Sequence, residues 1–472
     1  MIMKKSNILL VTKKMICLPL VMLAVGTYAQ DQAKTLDSLF TSLYAQKKFN
    51  GNVLVAEKGK PIFEKSYGLA DEKTGRKLDL QSTFELASLS KQFTAMGIVL
   101  LQKAGKLNYD DKISKYIPEL SFYDKITVRN LLNHTSGLPD YMELFEKKWD
   151  KSKFATNEDI IKEFETYKPA LEFETNQQFE YSNTGYAILA SIIERVAKKP
   201  FGEFLNVNIF KPLGMNHTLV YRSRYQPMTI PNYALGYEAD ESGNKYLPDS
   251  KGKEYYTYYL DGIVGDGMVN STLKDLLIWD RALYTDKLIN ENDKKLIFNG
   301  AMTANGKDTN YGFGWFIKNK TNYGKIVNHS GSWAGYATFI ERHLDHDKTF
   351  ILLQNNLTPT TKLPVDDIRK VLYHEKIMAE NLKKVTLTND QLQAYTGIYS
   401  SPDFPMKLKI IAKEGSLYGQ ATGEGQMPFE LAAYENHIFK FDGADIKLTF
   451  DLQKHTIDFQ QGSMAKYTFT KE

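Results

Sequence analysis

The sequence predicts an α+β domain, with helices packed on an antiparallel sheet and a helical subdomain, followed by a small all-β barrel or sandwich. Strand-type alternation lies near the start of the chain and returns after about residue 312, with a mostly helical stretch between. Composition changes at about Val385, and beyond it only short strand patterns occur. With 42% hydrophobic and 12% aromatic residues in 472, the chain is long enough for two or three domains and can bury a sizeable core. No tandem repeat or low-complexity tract is present.

The first 29 residues read as a secretory signal. Lys4, Lys5, Lys13 and Lys14 flank an apolar stretch from about Met15 to Val25, and "GTYAQ" offers small residues for cleavage after Ala29. The apolar core is about half of the roughly 20 residues a spanning helix needs, so no stable membrane span is expected after cleavage, and the mature chain is expected to be periplasmic or secreted. The one cysteine, Cys17, falls inside this signal. The mature protein therefore lacks disulfides, thiolate chemistry and cysteine zinc sites. Its charges balance, because the signal removes four of 60 basic residues and leaves 56 against 56 acidic ones. A nucleic-acid partner loses its electrostatic basis.

After the signal, "AKTLDSLFTSLYAQKK" reads as a helix, and "FNGNVLVAEKGKPIFEKSYGLAD" as two strands joined at "KGK". A long helix begins near Ser88 and runs to about Lys103, with Gly105 placed to end it. From Asp110 to about Phe210 the pattern is mostly helical, with turn chemistry at "NHTSGLPDY" and an amphipathic helix at "GYAILASIIERVAKK". "GFGWFIK", "GYATFIERH" and "KTFILLQNN" are strands, and "VDDIRKVLYHEKIMAENLKK" is a final helix. The tail supplies "MKLKIIA", "SLYGQAT", "FELAA", "HIFKFDG", "IKLTFDL", "TIDFQQ" and "KYTFTK". The expected division is a signal over 1–29, a catalytic domain over 30–384 and a β domain over 385–472.

Ser88 stands three residues before Lys91, but Ser-x-x-Lys occurs five times, at Ser88, Ser242, Ser250, Ser271 and Ser463. Only the copies at 88 and 271 start helices. At Ser271, Thr272 and Asp275 read as a capping box, and Lys274 falls off the apolar stripe of Leu273, Leu276, Leu277 and Leu283. At Ser88 both flanks are apolar, which implies a buried helix with the lysine and the hydroxyl on one face. Burial disfavours a charged lysine, which is how such a residue becomes a base near neutral pH. The helix N-terminus suits a developing oxyanion. On this segment alone, nucleophile and structural cap stand level.

Two further motifs follow in order, "YSN" at Tyr181 to Asn183 and "HSG" at His329 to Gly331. Together with Ser88 and Lys91 they resemble the signature of serine β-lactamases and penicillin-binding proteins, in the form used by class C β-lactamases and their relatives. "TVRNLLNHTSGLPDY" and "YGFGWFI" read like stretches of that family, and the likeness covers roughly residues 36 to 376. The tail resembles the lipocalin-like β modules often appended to such proteins. The resemblance implies a β-lactamase/transpeptidase-like domain and an acyl-enzyme mechanism. By it, Ser88 would attack an acyl carbonyl, Lys91 would take its proton and Tyr181 would relay protons to the leaving group. Asn183 would hold Lys91 and a substrate amide. The N–H groups of Ser88 and Ser332 would form the oxyanion hole, Ser332 lying just past Gly331. The bland reading of Tyr181 is a buried aromatic, one of 29 tyrosines. His329 replaces the lysine that pairs with a substrate carboxylate in members with Lys-Thr-Gly. With an ordinary pKa of about 6.5 it would charge only on mild acidification, so anionic substrates are expected to bind weakly at neutral pH and better near pH 6.

His343, Asp345, His346 and Asp347 resemble a ligand cluster but sit where a hairpin turn is expected, and His134 with Ser136 lies within one turn. No metal or cofactor is expected, and no G-x-S-x-G elbow, P-loop or G-x-G-x-x-G fingerprint is present. The sequence therefore indicates a serine hydrolase acting on amide, ester or β-lactam bonds of a small-molecule or peptide substrate, possible sources including the cell wall. The alternative is a penicillin-binding or wall-associated sensor that acylates with little turnover. Oligomeric state is not legible.

Overall fold

The computed structural model describes residues 17–472 apart from 241–242, 321, 378–381, 403, 405, 423–427, 442–445 and 462–465, with the backbone alone for 17–29 and 319–320. The expected signal thus lies outside the described residues except for the backbone of its last part. Ser242 and Ser463, which open two of the Ser-x-x-Lys copies, lie outside them as well. The chain divides into two compact units, Met1–Leu363 and Pro364–Glu472.

The first unit is built on a six-stranded antiparallel sheet of β1 (Gly51–Glu57), β2 (Lys60–Tyr67), β3 (Phe316–Lys320), β4 (Gly324–Trp333), β5 (Tyr336–His343) and β6 (Lys348–Gln354). The strand order is β3-β4-β5-β6-β1-β2, so β1, from the start of the chain, lies beside β6, nearly 300 residues later. The β1–β2 hairpin closes on Lys58 and Gly59 at φ 49° and 72°, the two positive values of a turn whose twist matches that of its strands. Every residue of β5 is buried, which requires cover on both faces of the sheet. One face is covered by α1 (Cys17–Ala45), whose Phe40 ring lies 4.8 Å from that of Phe49 and 5.9 Å from that of Tyr67.

The helical middle of the chain includes α2 (Lys91–Lys103) and α3 (Asn183–Ala197), which pack on each other, and α4 (Leu273–Ala282), which packs on β6 and β1. α2 buries almost all its residues, as its unbroken apolar pattern implied. Its regular part starts at Lys91; Ser88 stands on a tighter turn, Ala87–Ser90. The helix expected over "VDDIRKVLYHEKIMAENLKK" is shorter, Val365–Leu372, and a further helix, Asn389–Gln393, follows it in the tail where only strands were expected. His374 adopts φ 58°, which stops the helical path, and part of the remaining expected stretch, 378–381, is outside the described residues. No helix among the described residues is long and apolar enough to cross a membrane.

The second unit contains a closed barrel of eight strands, β7 (Gly397–Ser400), β8 (Leu408–Lys413), β9 (Ser416–Ala421), β10 (Phe429–Tyr434), β11 (Ile438–Phe441), β12 (Ile446–Asp451), β13 (Thr456–Gln461) and β14 (Tyr467–Lys471). Closure decides for a barrel over a sandwich. It depends on β7, a strand the sequence pattern does not show: Tyr399 and Ser400 pair with Lys471 and Thr470. Strict alternation, as in Ile446, Leu448 and Phe450 of β12, fills the interior.

Phe40 is fully buried against Phe49 and against Phe63 and Tyr67 of β2. Phe40→Ala is expected to lower the unfolding free energy of the first unit by about 3–5 kcal/mol in a denaturant titration. A change below the scatter of the titration would mean that α1 does not cover the sheet.

Candidate active site

Lys91 begins α2 and is wholly buried. An ammonium has three N–H donors, and each finds an acceptor from a different part of the chain: Ser88 Oγ at 3.1 Å, Asn183 Oδ1 at 2.9 Å and the Asp266 carbonyl at 2.9 Å. Ser88 stays half-buried on its turn, held open by Ala87 at φ 50°, a left-handed conformation that a non-glycine residue adopts at a cost of about 1–3 kcal/mol. Ser90 Oγ accepts from the Val269 N–H at 3.0 Å, and Thr94 donates to the Gly265 carbonyl at 2.6 Å. These bonds tie the start of α2 to the segment that presents the Asp266 carbonyl. The Asn183 amide reaches Asp140 Oδ2 at 3.4 Å, and Asp140 caps the helix Tyr141–Lys148.

β4 comes against the Ala87–Ser90 turn from the other side. A Cβ on Gly331 would stand 2.1 Å from the Leu86 carbonyl oxygen and 2.3 Å from Thr338 Oγ1, so only glycine lets the strand approach this closely. Thr338 on β5 donates to that same Leu86 carbonyl at 2.7 Å. Pairing of β4 with β3 ends at Asn328, so the following residues, through Ser332, run on past the last β3 pair on that edge. Ser332 and Ser88 line one cavity of about 180 Å³, together with Asn183, Asp266 and Trp333.

Tyr181 lies beside Lys91, whose Nζ is 4.9 Å from the ring centroid. The ring is set by aromatic neighbours: His134 at 4.4 Å, Phe316 stacked at 6.2 Å, and His329 at 5.9 Å. His134 Nδ1 accepts from the Ser182 N–H at 3.0 Å, fixing the backbone between Tyr181 and Asn183. Burial, with Lys91 and His329 nearby, keeps the His134 imidazole well below its ordinary pKa.

His329 departs from the reading as a substrate-side switch. It is buried on β4 and is not among the residues that line the cavity. Nδ1 faces the Ser330 carbonyl at 2.6 Å, which can only accept, so Nδ1 carries the proton and Nε2 accepts from the Tyr311 hydroxyl at 3.1 Å. Burial first, then the Lys91 charge, lower its pKa to about 3. A neutral ring held this way does not charge near pH 6, so the expected gain in anionic substrates near that pH has no basis at His329.

Of the other candidates, Ser271 is fully buried and bonded to Thr218 Oγ1 at 2.7 Å, while Lys274 is exposed. Thr272 caps α4, but Asp275 turns to the His217 N–H and the Thr218 hydroxyl rather than completing a box. His343 is buried against Glu341, Asp345 accepts from the Lys325 N–H, and Asp347 takes Arg281, all within or beside the β5–β6 hairpin. Tyr311, Asp266 and Glu85 lie at the site without having been singled out in the sequence, and His134, weighed there as a partner of Ser136, instead packs on Tyr181; "YGFGWFI" carried the signal for Tyr311.

A family profile described as Beta-lactamase matches residues 36–375. Penicillin-binding protein 4* of Bacillus subtilis (strain 168) is 45% identical over 451 residues, covering 94% of this chain and all of that protein. Putative penicillin-binding protein PbpX of the same organism is 26% identical, over 71% of this chain and 78% of its own. Among solved structures, an octameric penicillin-binding protein homologue from Pyrococcus abyssi superposes with a TM-score of 0.63 at 20% identity, covering 92% of this chain and 99% of that one. D-amino acid amidase from Ochrobactrum anthropi SV3 gives 0.59 at 23% identity, over 73% and 99%.

Two outcomes follow from this geometry. Gly331→Ala is expected to slow fluorophosphonate labelling by about 10²-fold, the scale of a misplacement near 1 Å, and an unchanged rate would mean that β4 does not position the serine. For His329 the folded pKa lies below the unfolded value near 6.5. Its contribution to stability is therefore complete above about pH 6.5 and is lost as pH falls towards 3. Stability of His329→Gln should accordingly fall less steeply than wild type between pH 6.5 and 4, and parallel curves would contradict the buried neutral imidazole.

Proposed function

Since the chain belongs to the Beta-lactamase family and is a serine hydrolase related to β-lactamases and penicillin-binding proteins, we propose that it cleaves amide or ester bonds of small amino-acid-derived substrates through an ester on Ser88. The observation that carries this reading is the buried Lys91 Nζ, bonded at once to Ser88 Oγ and Asn183 Oδ1. Once Lys91 has given up one proton to solvent, its free amine takes the Ser88 proton as the Ser88 oxygen attacks the carbonyl carbon. Negative charge collects on the former carbonyl oxygen, where the N–H groups of Ser88 and Ser332 stabilise it. The carbon–nitrogen or carbon–oxygen bond then breaks, and Lys91 with Tyr181 returns the proton to the leaving group. Water repeats the sequence on the ester and frees Ser88.

Substrate size and charge support the amino-acid class. A cavity of about 180 Å³ is small beside the roughly 300–1,000 Å³ of drug-sized pockets, and no basic side chain lines it among the described residues. A solved neighbour carries the name D-amino acid amidase. The 45% identity to a protein named penicillin-binding protein 4* supports a second reading, in which a peptide of cell-wall type acylates Ser88 and the ester persists. In either reading the chain works outside the cytoplasm, after the N-terminal signal expected over 1–29 has directed it there.

An intact-mass time course with amino-acid anilides, small esters and a penicillin distinguishes the two readings by how long the acyl group stays. Lys91→Met and Tyr181→Phe should each lower acylation by about 10²- to 10⁴-fold, the usual scale for a positioned proton-transfer group. Acylation at the wild-type rate in both would exclude proton transfer by these two side chains.

A further inference from the structure

Glu85 precedes the nucleophile turn by two residues and has no part in the steps above. Its residue is 5% exposed, and it lines the same cavity as Ser88 and Ser332. Its carboxyl experiences burial and the charges of Asp261 and Arg224, but takes no hydrogen bond among the described residues. Buried carboxyl groups are almost always hydrogen-bonded, so one left without a partner at a cavity wall points to something that arrives there.

We infer that Glu85 is the counter-ion for a free ammonium group on the substrate, so that the cavity selects acyl donors with an unblocked amine. The inference rests on the serine-hydrolase reading for the location of the scissile bond and deepens it by naming the substrate class.

Three observations converge on a cation. The charged side chains that line the cavity are Glu85 and Asp266, both acids, while Leu260, Ile263 and Met268 supply an apolar wall. Asp266 already has a partner, accepting from the Tyr141 hydroxyl at 2.9 Å, which leaves Glu85 as the open acceptor. Arg224, the cation whose charge reaches Glu85, is committed to Asp261 at 3.0 Å and to Asp249. Burial first, and then the Asp261 charge, which outweighs that of Arg224, raise the Glu85 carboxyl pKa to about 8. Before substrate enters, the cavity therefore tends to hold the protonated acid and avoids an unpaired buried charge. An entering ammonium favours the carboxylate and completes an ion pair, releasing the proton to solvent. A substrate carboxylate would meet two acids on the cavity wall, the Lys91 ammonium behind it being committed to Ser88, Asn183 and the Asp266 carbonyl, and a blocked amine would leave Glu85 without its partner. The volume, about 180 Å³, suits one small aminoacyl group between Glu85 and Ser88.

The test uses the full-length protein and paired probes. Wild type should cleave alanine p-nitroanilide, in one or both enantiomers, with kcat/KM well above that for N-acetylalanine p-nitroanilide. Glu85→Gln keeps the shape but not the charge, and the ratio of the two values should fall by about ten-fold or more. An unchanged ratio overturns the inference. Calorimetric titration of Ser88→Ala with alaninamide and with N-acetylalaninamide decides the matter without turnover and with Glu85 in place. Tighter binding of the free amine supports it, and equal or reversed affinities overturn it. Loss of fluorophosphonate labelling at Ser88 in wild type would instead remove the hydrolase reading, while the calorimetric comparison still judges Glu85.

Discussion

The first unit is organised around one constraint: a lysine side chain with no access to solvent must have its three N–H donors met. Lys91 meets them with a hydroxyl three residues earlier, an amide at the start of α3 and a backbone carbonyl at residue 266. These acceptors come from segments 92 and 175 residues away as well as from its own turn. Each lost acceptor would leave a buried donor unpaired at about 1–3 kcal/mol. The same bonds that stabilise the centre of the fold therefore hold Ser88 within proton-transfer distance of Lys91, so folding and preorganisation are one event.

The second organising contact is steric. Gly331 lies where any side chain would strike the Leu86 carbonyl, and Thr338 bonds that same oxygen from the neighbouring strand. The sheet edge is thereby fixed against the nucleophile turn, with Ser332 at the cavity wall. Behind it, His134, Tyr311, Phe316 and His329 form an aromatic bed under Tyr181. Both imidazoles in that bed are kept neutral by burial and by Lys91. An imidazole at 329 thus acts as packing with two hydrogen bonds, where a lysine would need an anion.

What the sequence revealed follows from what is local. Ser88 and Lys91 are three residues apart at an apolar helix start, which set nucleophile and cap level, and the family resemblance of three motifs in order is what brought in Tyr181 and Asn183. The Asp266 acceptor is a carbonyl, which every residue possesses, so no residue type announces it. His134 holds the Ser182 N–H from 48 positions away and sits at φ 56° in a turn, where spacing rules are silent. The pH role expected of His329 failed because residue type says nothing of burial. Glu85 was passed over as the lead-in to a helix, since nothing in "FELA" distinguishes a carboxyl that bonds the backbone from one that faces a cavity. In the second unit seven strands announced themselves in the sequence, whereas β7, Gly397–Ser400, fully buries only Tyr399 and shows no alternating apolar pair.

In the proposed reaction, acyl transfer depends on the serine that Lys91 holds. Peptide mapping of the protein after reaction with a fluorophosphonate probe tests that dependence most directly. The adduct is expected on the peptide containing Ser88, with the others unmodified; an adduct on Ser271 or on any serine outside the Ala87–Ser90 turn would contradict it.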